Sequence, residues 1–167
     1  GLAGVDSPFF AHEPRWKTTA QGKALFSQET RERINGQDPV AAFAGTLPAA
    51  LGTWDPFNQA QYVEAKTLLA GYLLSTQGDR MLMANSVEGR FPYLDHRVIE
   101  FANALDPRLK MRVLNEKYLL KLALGAQLPP GIAARKKQPY RSPDSKAFEG
   151  EGIGFVDDAC NASQHRV

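Results

Sequence analysis

Residues 59–87 read QAQYVEAKTLLAGYLLSTQGDRMLMANSV, and their apolar pattern determines the fold class that we predict for the chain. The apolar side chains recur at steps of one, three and four residues, with gaps of five, which suits an amphipathic α-helix. We therefore expect a mostly buried helix from Gln59 to about Leu73. A second helix should run from Gly78 to about Val87, with residues 81–84 in the core.

Shorter helical patterns lie on both sides of this stretch. Asp38-Pro39 starts the next unit, in which residues 40–44 are expected to form a short helix that ends near Gly45. Asp95 is placed to cap a helix over residues 96–104, and Asn115 to cap one over residues 116–124. No strand alternation of convincing length is present, so we predict a mainly α chain.

The composition is that of an ordinary soluble globular chain of 167 residues, with 23% charged and 43% hydrophobic residues. The 20 Lys and Arg residues against 18 Asp and Glu give a net charge of +2, which is too balanced to indicate nucleic-acid or membrane binding. No apolar run approaches the ~20 residues of a membrane span. We therefore expect a cytoplasmic protein that binds neither nucleic acid nor membranes.

Several kinds of catalytic site are disfavoured by the residues themselves. The single cysteine, Cys160, lies in a polar stretch and excludes an internal disulfide framework. The three histidines, His12, His96 and His165, lack the spacing of a zinc site, so we expect no metal site. A Gly-x-x-x-x-Gly-Lys-[Ser/Thr] phosphate loop does not occur in the sequence.

The first segment with candidate chemistry is residues 78–95, GDRMLMANSVEGRFPYLD. Its charged side chains are Asp79, Arg80, Glu88, Arg90 and Asp95. Glu88 and Arg90 flank a glycine where the helix gives way to a turn, which could direct both side chains into one cavity. The alternative is an ion pair that only ties the helix end to the next helix, since structural ion pairs are common.

The second segment is residues 135–144, RKKQPYRSPD, with four cations in seven residues on a loop that contains two prolines. Lysine supplies a mobile point charge and arginine a planar fork, so this loop suits phosphate or pyrophosphate binding. A solvated basic loop is the plainer interpretation. RNA binding by an unrelated helical domain is a further alternative.

Together these segments resemble the C-terminal part of the synthetase domain of glutamine-hydrolysing (class B) asparagine synthetases. The wider family includes related amidotransferases and β-lactam synthetases. Four blocks follow the family order, namely residues 73–81 (LLSTQGDRM), 86–97 (SVEGRFPYLDHR), 116–121 (EKYLLK) and 137–144 (KQPYRSPD). The Glu-x-Arg-x-Pro-[Phe/Tyr]-Leu-Asp block is the most specific of them.

The resemblance implies a helical C-terminal portion of an α/β ATP-pyrophosphatase-type (adenine nucleotide α-hydrolase-like) synthetase domain, whose sheet core this chain lacks. By this resemblance, residues 1–58 are a variable helical region and residues 59–148 the conserved helical part. Residues 149–167 are expected to be a flexible polar tail. The chain starts at Gly1 and ends in a polar run, so we expect it to be a piece of a longer domain.

The resemblance also implies an ATP-dependent ligase. In the family, ATP activates the side-chain carboxylate of aspartate and releases pyrophosphate, and ammonia from glutamine then gives asparagine and AMP. By position, Lys137 resembles the catalytic lysine that contacts the phosphates, and Glu88 resembles the acidic residue at the acceptor site. Arg90 would hold Glu88 or a substrate carboxylate. Asp79 and Arg80 are expected to contribute to the substrate pocket, and Arg141 is expected to contribute to phosphate binding.

Two family features do not occur in the sequence, namely the N-terminal nucleophilic cysteine and the Ser-Gly-Gly-x-Asp-[Ser/Thr] pyrophosphate loop. We therefore expect no independent activity, and no ATP or Mg²⁺ bound by this chain alone. The expected partners are the glutaminase domain and the ATP-binding sheet core, or a partner chain that supplies them. The alternatives are a subunit of a split enzyme, an inert helical scaffold or regulatory module, and an amidotransferase of secondary metabolism with another carboxylate substrate.

Overall fold

The computed structural model describes residues 4–138 and the single positions Lys146, Gly154 and Asp158. The chain forms two compact units, Gly1–Leu122 and Ala123–Val167. The expectation of a mainly helical structure is confirmed for the described residues, whose strands form a single two-stranded hairpin. None of the helices in this part of the chain is long and apolar enough to cross a membrane.

The α-helices are short and are separated by turns and by other helix types. They are α1 (Glu13–Ala20), α2 (Gln28–Ile34), α3 (Pro39–Ala44), α4 (Pro56–Glu64), α5 (Arg80–Ala84), α6 (His96–Ala104), α7 (Pro107–Lys110) and α8 (Tyr118–Leu124). A π-helix covers Ala65–Asp79, and 3-10 helices cover Gln21–Leu25, Ala49–Thr53, Pro92–Leu94 and Gly125–Gln127. The strands are β1 (Met111–Arg112) and β2 (Asn115–Glu116).

Four of these helices begin at an aspartate that caps them. The carboxylates of Asp38, Asp55, Asp95 and Asp106 each accept a hydrogen bond from the backbone amide two residues later. Three of the four are followed by proline, whose absent N–H is not needed in the first helical turn. The cap predicted at Asp95 and the short helix predicted after Asp38 are therefore confirmed.

The helix predicted from residue 59 changes its hydrogen-bonding type at Ala65. Side chains within the π-helix pair at a spacing of five residues, as in the 2.8 Å bond from Gln77 Nε2 to Tyr72 Oη. Thr76 Oγ1 likewise donates to the Gly71 carbonyl at 3.2 Å. Hydrogen bonds between residues five apart are typical of a π-helix, and runs of this helix type are rare in proteins.

The burial expected for residues 59–84 is wrong for most of that stretch. Val63 is fully buried, but the side chains of Met81 and Met83, which were expected in the core, are 55% and 79% exposed. The physical reason is that α4, the π-helix and α5 follow one another without a break, so the contacts of the π-helix with the other two are chiefly between adjoining turns of one helical run. A helix face is buried only where another element covers it, and these neighbours leave the two methionines uncovered.

The helix predicted over residues 116–124 begins two residues later, because Asn115 and Glu116 pair with β1. The register joins Met111 to Glu116 and Arg112 to Asn115. The cap predicted at Asn115 is wrong, since its side-chain oxygen accepts a hydrogen bond from Lys121 Nζ at 3.0 Å instead. The hairpin therefore precedes α8. Strand alternation could not indicate it, because each of its strands has only two residues.

The first turn of α1 and the residue before it are tied to the end of α4 by hydrogen bonds to a carboxylate. Glu64 Oε2 lies 2.9 Å from both His12 Nε2 and Arg15 Nη2, and His12 is only 4% exposed. The hydrogen bond from Arg15 lowers the pKa of Glu64, and the interaction with His12 acts in the same direction. This contact joins residues that are about fifty positions apart in sequence.

Val63→Ala is expected to lower the free energy of unfolding of the chain by about 1–2 kcal/mol, because it removes buried methyl groups and leaves a cavity. Urea unfolding followed by circular dichroism measures this difference. Val40→Ala is the matched control, since Val40 is partly exposed and its change should stay within about 0.5 kcal/mol. Equal effects of the two substitutions would show that Val63 is not in the core.

Asp106→Asn should reduce the acid sensitivity of the fold. Hydrogen bonds from the Arg108 side chain and backbone lower the pKa of Asp106 from 3.8 to about 2. The stabilisation from this carboxylate is therefore present above about pH 4 and is lost as the pH falls towards 2. Asparagine keeps the cap but does not titrate. Thermal unfolding is measured from pH 2 to 6. The difference in melting temperature between wild type and variant should shrink below pH 4, whereas a difference that stays constant would contradict the stabilising role of the ionised Asp106 carboxylate.

Candidate functional site

The chain reverses direction at the end of α5, and this reversal positions the first candidate segment. The Val87 amide donates to the Leu82 carbonyl at 2.9 Å, and the Ser86 amide donates to the Met83 carbonyl at 3.1 Å. Ser86 has a φ of +55°, which is the left-handed conformation that such helix ends require. Residues 87–91 then run without regular secondary structure to the 3-10 helix that begins at Pro92.

The structure brings the side chains of Glu88 and Arg90 together. Glu88 Oε1 lies 2.8 Å from Arg90 Nη2, and the two side chains are 73% and 82% exposed. An exposed ion pair of this kind contributes about 0–1 kcal/mol to stability, so it is a weak structural tie. Both charged groups are open to solvent and therefore accessible to a ligand or to another protein surface.

The other two predicted residues of this segment lie at the opposite end of α5. Asp79 is the last residue of the π-helix, and Arg80 is the first residue of α5. Both are exposed. Among the contacts of the described residues, no hydrogen bond or ion pair joins either of them to Glu88 or Arg90. The structure therefore brings together two of the four side chains predicted to form the substrate pocket.

The predicted phosphate-binding loop begins in the second unit. Lys137 is exposed and follows a turn in which the Arg135 amide donates to the Ile132 carbonyl at 3.2 Å. Lys136 is likewise exposed. The described part of the loop ends at Gln138, so the predicted contribution of Arg141 lies outside the described residues. The predicted tail, residues 149–167, also lies outside them apart from two single positions.

The lysine and arginine side chains of these segments suit an anion such as phosphate. Lysine and arginine side chains only donate hydrogen bonds, which matches the acceptor oxygens of phosphate. Within residues 4–138 and the three isolated positions, no group of three His, Cys, Asp or Glu side chains could hold a metal ion. The lysine and arginine side chains of these segments therefore offer positive charge and hydrogen-bond donors to an anion.

An apolar groove of about 1470 Å³ lies in the first unit, near α1 and α3. Its aromatic wall includes Phe9, whose ring centroid is 5.5 Å from that of Trp16 and 6.0 Å from that of Phe43. Sequence reasoning did not find this groove, because the three aromatic residues belong to separate segments and no local pattern links them. None of the predicted site residues lines it.

Comparison with curated proteins finds two kinds of relative. Asparagine synthetase [glutamine-hydrolyzing] 3 of Bacillus subtilis is 44% identical over 145 residues, which covers 83% of this chain and 23% of the relative. Asparagine synthetase [glutamine-hydrolyzing] 1 of the same organism is 35% identical over 67% of the chain and 18% of the relative. The fungal protein Amidase chyE of Penicillium rubens is 32% identical over 68% of the chain and 20% of its own length.

The chain spans about a fifth of the length of these curated relatives. No solved structure matches it significantly. The family model for asparagine synthase matches residues 6–167, which is nearly the whole sequence. The match includes the segment that carries Glu88 and Arg90 and the loop that carries Lys137, so the chain belongs to the asparagine synthase family.

Proposed function

We propose that this chain is part of a glutamine-dependent amidotransferase that converts aspartate to asparagine with ATP, releasing AMP and pyrophosphate. The observation that carries the proposal is the Glu88–Arg90 pair, 2.8 Å apart and exposed, within the block that is most specific to the family. Membership of the asparagine synthase family supports the reaction class. The described residues contribute polar groups to this reaction and do not complete it alone.

Glu88 is proposed to act on the incoming ammonia. Ammonia attacks the activated carboxyl carbon, and the resulting ammonium must lose a proton before the amide is neutral. A carboxylate at hydrogen-bonding distance orients the nitrogen and accepts that proton. Arg90 orients the carboxylate of Glu88 until the ammonia arrives, and its remaining N–H groups can bind a substrate carboxylate.

Lys137 is proposed to stabilise the phosphate charge that develops as pyrophosphate leaves. Negative charge accumulates on the leaving group, and a nearby ammonium lowers the energy of that transition state. Arg141 is proposed to add a second cation, and Asp79 and Arg80 to support the substrate pocket. ATP and Mg²⁺ are proposed to be held chiefly by a partner region.

The proposed partner region contains the α/β sheet with the phosphate loop, and a glutaminase domain supplies the ammonia. Large apolar side chains that folding leaves exposed on the first unit support this association, because burying them against another protein surface is favourable. They are Met81, Met83, Phe101, Val113, Leu114 and Leu122. The partner region is on the same polypeptide or on a separate chain, and the second arrangement would make this a subunit of a split enzyme.

A second candidate substrate follows from the fungal relatives. Amidase chyE shares 32% identity with the chain over 136 residues, and its name is not that of an asparagine synthetase. An amidotransferase of secondary metabolism that acts on another carboxylate would use the same Glu88, Arg90 and Lys137 side chains. Offering other carboxylates in place of aspartate in the assay below distinguishes the two substrates.

Glu88→Gln is expected to lower the rate of asparagine formation by roughly 100-fold or more, since the amide cannot accept a proton. The assay uses a hybrid in which this chain replaces the matching part of Bacillus subtilis asparagine synthetase 3, with asparagine measured by mass spectrometry. Thermal stability should change little because the pair is exposed. Glu100→Gln, on an exposed position of α6, is the matched control and should keep the wild-type rate.

A wild-type hybrid that folds but makes no amide from any carboxylate would identify the chain as an inert helical module. An active hybrid in which Glu88→Gln has the wild-type rate would remove Glu88 from the reaction. In the second case the ion pair with Arg90 would be a surface contact only.

Lys137→Ala should lower the ATP- and aspartate-dependent release of pyrophosphate by roughly 100-fold in the same hybrid, because one transition-state cation is lost. The proposed role predicts a lower turnover number with a smaller change in KM for aspartate. Lys66→Ala is the matched control, since Lys66 is an exposed lysine on the π-helix. Equal pyrophosphate release by wild type and Lys137→Ala would contradict the role.

A further inference from the structure

A two-residue turn joins β1 to β2 and carries two large apolar residues at its tip. Arg112 pairs with Asn115, so Val113 and Leu114 form the whole connection. Val113 is 87% exposed and Leu114 is 91% exposed. Turns of this kind usually carry glycine, asparagine or aspartate, because these residues tolerate the backbone conformation and are polar or small. The turn by itself does not account for the two apolar residues.

The backbone conformation at Val113 is also unfavourable for its residue type. Val113 has a φ of +57°, in the left-handed region, whereas Leu114 is not among the residues with a positive φ. A positive φ at only the first central position is the pattern of a type II′ turn, which favours glycine there. For a β-branched residue this φ is strained, because the branched side chain crowds the backbone.

Contacts of the tip within the chain offset little of that strain. Each strand of the hairpin has only two residues, and the exposed fractions leave few contacts for the side chains of Val113 and Leu114. Backbone strain persists in proteins mainly at functional sites, where another interaction compensates for it. Burial of apolar side chains against a second surface is such an interaction. The strain and the exposure together indicate a contact with a surface outside this chain.

The charges beside the tip indicate the chemistry of that surface. Residues 111–121 contain three cations and one carboxylate. Arg112 Nη1 donates to the Tyr118 hydroxyl at 2.8 Å, and Lys121 Nζ donates to Asn115 Oδ1 at 3.0 Å. Both of these acceptors are uncharged, so the two hydrogen bonds leave the positive charge of the hairpin in place. A complementary surface has an apolar pocket for the tip and carboxylates around it.

We propose that Val113 and Leu114 form an anchor that inserts into an apolar pocket with an acidic rim on the partner region. The inference rests on the proposed function, which requires that region. The partner region is the favoured occupant because the match covers only 18–23% of the length of the curated relatives described above, so these proteins contain far more chain than the part that carries the hairpin. The family match includes the hairpin itself.

Hydrogen exchange followed by mass spectrometry compares the free chain with the hybrid enzyme described above. The amides of residues 113–116 are expected to exchange at least about 10-fold more slowly in the hybrid, because the partner region covers the tip. Leu114→Asn should remove this protection and lower the melting temperature of the hybrid. The melting temperature of the free chain should stay the same, since Leu114 is exposed there. Leu114→Met is the matched control, because it keeps an apolar side chain and should preserve the protection.

Val113→Gly separates the strain from the contact. Glycine adopts a positive φ without crowding, so the substitution should raise the melting temperature of the free chain. In the hybrid the gain should be smaller or reversed, because the valine side chain is missing from the pocket. A lower melting temperature of the free chain, or an equal gain in both proteins, would overturn the inference.

The inference also fails if the hybrid folds and the amides of residues 113–116 exchange as fast as in the free chain. It fails as well if Leu114→Asn and Leu114→Met behave alike in the hybrid. Protection in the free chain that grows with its concentration would identify a second copy of the chain as the occupant and would overturn the partner region. None of these measurements is a reaction rate. An inactive hybrid with a protected tip would therefore contradict the proposed function alone, and an active hybrid with an unprotected tip the inference alone.

Discussion

The hydrogen bond from the Val87 amide to the Leu82 carbonyl closes α5, and the candidate site is built on the reversal that follows it. Ser86 adopts a left-handed conformation there, at a cost of about 1–2 kcal/mol for a residue with a side chain. The reversal returns the chain to Leu82 and allows Gly89 to pack on it. Without this reversal, the charged groups of Glu88 and Arg90 would have no fixed position relative to α5, because an exposed ion pair is too weak to hold a backbone segment.

Few apolar side chains of the first unit are fully buried. Leu51 and Val63 are the buried apolar residues of the described chain, and polar contacts also connect its segments. Aspartate caps fix the helix starts, and the contacts of Glu64 with His12 and Arg15 join distant segments. This balance explains why so much apolar surface stays available. A surface that folding leaves uncovered favours association, since burying it releases about 25 cal/mol per Å².

Features that depend on a few consecutive residues could be predicted from the sequence. The cap at Asp95 followed from the residue type and its place before a helical pattern, and the Glu88–Arg90 pair followed from charges on either side of a glycine. The π-helix could not be predicted, because apolar spacing does not distinguish one helical hydrogen-bonding pattern from another in a short run. The hairpin at Asn115 was missed because two-residue strands carry no alternation.

Residue types and their order were sufficient to indicate the helical class, the helix starts and the charged groups of the candidate site. Tertiary structure alone decided which apolar side chains are covered, since burial depends on what packs over a face and not on the face itself. It also decided which charges meet. Asp79 and Arg80 share a segment with Glu88 and Arg90, yet only the latter two are in contact, because the chain reverses between the helix end and Val87.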